Sequence, residues 1–105
     1  MKQKIKSVTY EGPFKEICPN FIEYKRSLGF KYNYDTEKAI QALDNFFKEN
    51  GIVQISITKE IAQKYTAKRG NESSKTQAWR ESLIRQFGLY LEQQGYTGIY
   101  ICLNL

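Results

Sequence analysis

The stretch Asn71 to Tyr96, NESSKTQAWRESLIRQFGLYLEQQGY, decides the fold. Its apolar residues Trp79, Leu83, Phe87, Tyr90 and Leu91 recur at helical spacing, which predicts one long helix with a buried stripe that includes Trp79. Ser74 and Gln77 stand at capping-box spacing, so the serine is expected to accept an orphan amide while the glutamine reaches back. Gly95 is placed to end the helix. Around the helix entrance lie Lys68, Arg69, Lys75, Arg80 and Arg85, opposed only by Glu72 and Glu81. A helix start with free amides, hydroxyls and cations suits phosphate, although most capped amphipathic helices are simply packed and their cations solvated.

Upstream, the same grammar repeats. The first dozen residues read as an arm that ends at Glu11-Gly12-Pro13. A first helix is expected over about Phe14 to Leu28, with Phe14, Ile17, Phe21, Tyr24 and Leu28 on one face. Pro19 allows two versions: a kinked helix, or one that starts near Cys18 with the proline in its first turn. Phe30 to Tyr34 forms an aromatic and polar connector. A second helix follows from about Asp35 to Asn50, capped by Asp35 or Thr36, with Ala39, Ile40, Leu43, Phe46 and Phe47 inward. Ile52 to Ile57 is an apolar connector expected to be extended and to pack across the helices. Thr58 caps a short third helix whose inward positions are Ile61, Ala62 and Tyr65. The tail from Thr97 is apolar and lacks a helix start, so it packs as a short strand or helix, or marks where a longer protein was cut. Four helices with short connections predict an all-α bundle.

Composition narrows the function. The chain has 105 residues, one domain's worth, and no apolar run near the roughly 20 residues that span a bilayer. The N-terminus lacks the apolar core of a secretory signal, so a cytoplasmic location is expected and no membrane partner. Histidine is absent, which excludes Ser-His and Cys-His nucleophile pairs and histidine-dependent metal sites. There is no phosphate-cradling glycine loop and no carboxylate pair set among apolar neighbours. The chain by itself is therefore expected to be non-catalytic, with no cofactor and no metal. Cys18 and Cys102 form no metal-spaced pair; reduced thiols are the expectation, and a disulfide is not decided by sequence. The net charge of +5 is clustered: +3 in residues 1 to 6 (Lys2, Lys4, Lys6), +2 in residues 24 to 38 and +3 in residues 68 to 85. Such clustering favours a polyanionic partner, with an acidic protein surface as the other option.

The order of signals resembles a known family. FIEYKRSLGF (Phe21 to Phe30) is followed by a capped helix ending in Asp44-Asn45-Phe46-Phe47. Then come Ile57-Thr58-Lys59-Glu60, Asn71-Glu72-Ser73-Ser74-Lys75-Thr76, and Ile84-Arg85-Gln86-Phe87-Gly88-Leu89-Tyr90-Leu91. Over about Phe14 to Tyr96 this is similar to the N-terminal core-binding domain of tyrosine recombinases, the phage-integrase family. Each motif is weak alone; their order and spacing carry the likeness. The resemblance implies a SAM-like orthogonal bundle of four or five helices that forms half of a clamp around double-stranded DNA at a recombination core site. Its other partners would be the recombinase's catalytic domain and further protomers.

The resemblance also implies a site. Carried onto matching positions, it gives Ser73, Ser74, Lys75, Thr76, Gln77 and Arg80 at the entrance of the fourth helix, and Lys31, Tyr32, Tyr34, Thr36 and Lys38 around the start of the second. Lys75, Ser74 and Thr76 suit phosphate oxygens. Arg80 either reaches a guanine edge or is solvated, and Gln77 either pairs with adenine or is consumed by capping. Tyr32 and Tyr34 either lie against sugar-phosphate or pack at the rim, and Lys25 and Arg26 either line the same surface or solvate the first helix. The family's catalytic motifs, which include histidine and a tyrosine nucleophile, have no counterpart here, so none of the eight tyrosines is a cleavage candidate. The chain reads as a domain excised from an integrase or as a natural fragment, with 97–105 the start of a linker. The competing reading is a protein-interaction bundle, a recombinase-derived regulator or dimerisation module, with Ile99, Tyr100, Ile101 and Leu103 as its patch.

Overall fold

The computed structural model describes residues 8–101; the lysines of the N-terminal arm, Cys102 and Leu103 lie outside them. Four helices are present: α1 (Cys18–Ser27), α2 (Tyr34–Glu49), α3 (Lys59–Thr66) and α4 (Ser74–Gln93). Among the described residues there is no strand beyond one isolated bridge. The all-α bundle read from the sequence is the fold.

The helix boundaries follow local chemistry, with some shifts from expectation. Pro19 stands in the first turn of α1, so the helix starts at Cys18 and is not kinked. Phe14 lies in the turn before it, held by an acceptor far along the chain. Asp44 on α2 accepts from the Gly12 amide at 2.7 Å and the Phe14 amide at 2.8 Å, with its own side chain fully buried. The α2 cap is Asn33, earlier than Asp35 or Thr36: its Oδ1 accepts the Thr36 amide at 3.0 Å. Thr58 caps α3 as expected, accepting from the Ile61 amide. The α4 cap is Ser73 rather than Ser74, and its Oγ accepts the Thr76 amide at 3.2 Å. Gly95 has φ 96°, and the Tyr96 amide returns to the Leu91 carbonyl, which is the left-handed stop that only glycine adopts without strain.

The core is an aromatic cluster at the helix crossing. Phe87 of α4 meets Phe14 at 4.9 Å and Phe21 at 5.1 Å, both edge to face, and Phe14 also meets Phe47 of α2 at 5.0 Å. Ile40, Leu43, Ile61, Tyr65, Leu83 and Leu91 close around it. Two apolar residues assigned inward by periodicity are outside: Leu28, 55% exposed, and Trp79, 44% exposed. The connector and tail also find their places. Ile57 pairs in parallel with Ile99, its amide donating to the Gly98 carbonyl at 3.1 Å while the Tyr100 amide donates back at 2.8 Å. Gly88 lets this tail cross α4, since a Cβ there would stand 2.8 Å from the Ile101 side chain.

Candidate nucleic-acid interface

The start of α2 is held by Arg26. Its Nε donates to the Tyr32 carbonyl at 3.0 Å, Nη2 reaches the same oxygen, and Nη2 also pairs with Glu37 at 2.6 Å. Arg26 therefore does more than solvate α1: it ties the connector to both helices while its side chain stays partly exposed. The result presents Lys31 to solvent and half-buries Tyr32, whose ring edge meets Phe21 at 6.1 Å. Burial raises the Tyr32 phenol above its ordinary value. Tyr34 is in the first turn of α2, exposed, with Lys38 Nζ 5.9 Å from its ring centroid. Thr36 is half-buried and its hydroxyl is 3.1 Å from Asn33 Oδ1. Lys25 lies over the Phe30 ring at 4.8 Å.

The entrance of α4 divides into two faces. Ser73, Ser74, Lys75 and Thr76 are exposed. Gln77 and Arg80, three residues apart and so on one side of the helix, turn inward to the end of α3. Gln77 Nε2 donates to the Thr66 carbonyl at 3.0 Å. Arg80 Nη1 donates to the Tyr65 carbonyl at 2.6 Å, and Nη2 donates to the Ala67 carbonyl at 3.2 Å and to Glu72. These are the carbonyls that a helix C-terminus leaves without partners, where a cation is also favoured by the dipole. Arg80 is 7% exposed. Both expectations for it, a guanine contact and a solvated side chain, give way to a structural role. Gln77 likewise caps α3 and not α4, which leaves it unable to read adenine from this rotamer. Glu72 sits below the usual carboxylate range because the Arg69 amide and then the Arg80 guanidinium hydrogen-bond its charged form.

A third face of α4, carrying Lys75, Trp79, Ser82 and Gln86 at spacings of four, three and four, runs along an open cleft toward α2. One groove of about 220 Å³ brings Lys31, Tyr32 and Thr36 against Trp79, Ser82 and Gln86. A second, of about 380 Å³, lies on the other side of Trp79 and is walled by Ala39, Ala42, Asn45 and Phe46 of α2 and by Tyr65 and Arg69. Of the residues expected at the site, the structure thus joins Lys31, Tyr32 and Thr36 to the α4 stripe headed by Lys75. Trp79, Ser82, Gln86 and Asn45, which the sequence reading does not place there, also line the grooves; Trp79, Ser82 and Gln86 continue the helical face of Lys75.

Among the described residues no three His, Cys, Asp or Glu side chains gather to hold a metal ion, and no helix is long and apolar enough to cross a membrane. Cys18 is a fully buried free thiol, and burial followed by the nearby Asp44 charge pushes its pKa far up. The cations lining the two grooves are Lys31, Arg69 and Arg80, against Glu49. No family model, no curated protein and no solved structure matches this chain.

Proposed function

We propose that this chain is a DNA-binding, non-catalytic module of the core-binding type found in tyrosine recombinases, contacting double-stranded DNA with the face between α2 and α4. The observation that carries this reading is the convergence on one cleft of the connector before α2 (Lys31, Tyr32), the first turn of α2 (Thr36) and the α4 face of Trp79, Ser82 and Gln86, with the capped, hydroxyl-rich start of α4 one turn before Trp79. Two segments 40 residues apart in sequence, each cationic and polar, meet on one surface. Lys75, Ser74 and Thr76 would neutralise and hydrogen-bond phosphates, and Lys31 and Lys38 would do the same from α2. The catalytic domain of the recombinase would supply the other half of the clamp.

Fluorescence anisotropy with short mixed-sequence duplex DNA across a salt series tests this. With three phosphates neutralised by Lys75, Lys31 and Lys38, log K falls against log salt with a slope of roughly −3, at about 0.9 per phosphate. Absence of binding at low salt by the folded protein overturns it. The rival, a protein-interaction bundle using the tail, would work with a smaller patch: Ile99 and Tyr100 are half-buried against the core cluster, and Leu103 lies outside the described residues.

A further inference from the structure

Trp79 is the single tryptophan of the chain and stands at the boundary of both grooves between α2 and α4. Helical periodicity places it inward, yet the fold buries Leu83, Ile84 and Phe87 and leaves the indole 44% exposed. Ala39 and Ala42 on the facing side of α2 are small, so the larger groove stays open beside it. A large apolar ring left in this position has no partner filling either groove. Its surroundings are cationic: Lys75 one turn earlier on the same face, Lys31 in one groove and Arg69 in the other, with Glu49 the opposing acid. Of the acids in and beside the two contributing segments, Glu37 and Glu72 are paired with Arg26 and Arg80, while Asp35 and Glu81 also lie within them.

The geometry points to Trp79 as the apolar anchor of the DNA contact, its indole covered by duplex DNA in the complex while Lys75 and Lys31 engage the backbone on either side. This rests on the DNA-binding reading proposed above and adds a term that reading lacks. Charge pairing with phosphates releases counterions and is salt-dependent, whereas an aromatic face against sugar or a thymine methyl is not. The surrounding charge favours a polyanion over an acidic or apolar protein partner, because duplex DNA offers both a dense phosphate field and apolar edges within one groove.

The two contributions separate in one experiment. Wild type, Trp79→Ala, Trp79→Phe and Lys75→Ala are titrated with labelled duplex DNA across a salt series, and iodide quenching of the wild-type indole is read with and without DNA. Trp79→Ala is expected to bind about tenfold more weakly at every salt concentration with an unchanged slope, since an aromatic contact contributes without counterion release. Trp79→Phe falls between, and Lys75→Ala lowers the slope by about 1. The wild-type indole becomes shielded from iodide when DNA binds. Wild type that binds DNA while Trp79→Ala matches it within twofold, or an indole still open to iodide in the complex, overturns the anchor and leaves DNA binding standing. A Trp79→Ala variant that keeps its DNA affinity but changes from dimer to monomer overturns it in favour of a protein contact. Wild type that fails to bind at low salt overturns both. Should Trp79→Ala fail to fold, Trp79→Phe and the quenching measurement decide.

Discussion

Arg80 of α4 donates through Nη1 to the carbonyl of Tyr65 at 2.6 Å, closing the end of α3 across 15 residues of chain. The same guanidinium reaches Ala67 and Glu72, so one arginine gathers the α3 end and the α3–α4 loop. This consumes the side chain that the sequence offered most strongly as a base reader.

Arg80→Ala should therefore act on stability and not on the electrostatics of DNA binding. Leaving the Tyr65 and Ala67 carbonyls without their donor is expected to cost about 1–3 kcal/mol, read from the midpoint of urea unfolding. In the fraction that remains folded, the salt slope of DNA binding should equal wild type. A slope lowered by about 1, as expected for Lys75→Ala, would put Arg80 on the DNA after all.

Asp44 is a second side chain spent on internal hydrogen bonds, here as an acceptor. Its carboxylate holds the Gly12 and Phe14 amides, and the Gly12 backbone approaches so closely that a Cβ there would stand 2.5 Å from the Asp44 carbonyl. Asp44→Ala should destabilise by about 1–3 kcal/mol for each amide left unpaired, and Gly12→Ala by a comparable 1–3 kcal/mol from overpacking. Equal urea midpoints for wild type and both variants would remove this clasp from the account of the fold.

The position of the α4 cap separates two adjacent serines. Ser73→Ala should cost about 1 kcal/mol, the usual loss for an N-cap hydroxyl, while Ser74→Ala stays within about 0.5 kcal/mol. Thermal unfolding of the two variants reads the difference directly. The reverse order would return the cap to Ser74.

Stability should fall at both ends of the pH scale for identifiable reasons. Burial raises the Tyr65 phenol from 10.0 to about 12, with Arg80 and Arg69 opposing the shift. The folded state therefore keeps this proton longer than the unfolded chain. Its contribution, roughly 2–3 kcal/mol at most, is full below pH 10 and is lost as pH rises from 10 toward 12. Tyr10, Tyr32 and Tyr90 shift in the same direction by burial, so Tyr65→Phe should reduce the alkaline loss without abolishing it. Glu72 is shifted down, so its contribution is present above its ordinary value of 4.5 and lost as pH falls through the lower folded value. Denaturation midpoints of wild type, Tyr65→Phe and Glu72→Gln between pH 3 and pH 12 check both limbs.

The sequence by itself determined the helices, their order and most of the core. Apolar residues at three- and four-residue spacing have one way to reach a common interior, and Gly95, Thr58 and Pro19 fix ends through φ, a hydroxyl and a missing amide. It also put Lys31, Tyr32 and Thr36 together with the α4 entrance as one candidate surface, although only by likeness to a family. The tertiary structure decided which of two competing uses each ambiguous side chain took. Periodicity cannot tell Trp79 from Leu83, because a helix with two apolar flanks buries the one that its neighbours press against, and here Phe14 and Phe21 press on Phe87, with Phe47 behind Phe14. Nor can charge tell Arg80 from Lys75. Only the arrival of the α3 C-terminus beside α4 supplied carbonyls for Arg80 and Gln77, and left Lys75 facing outward.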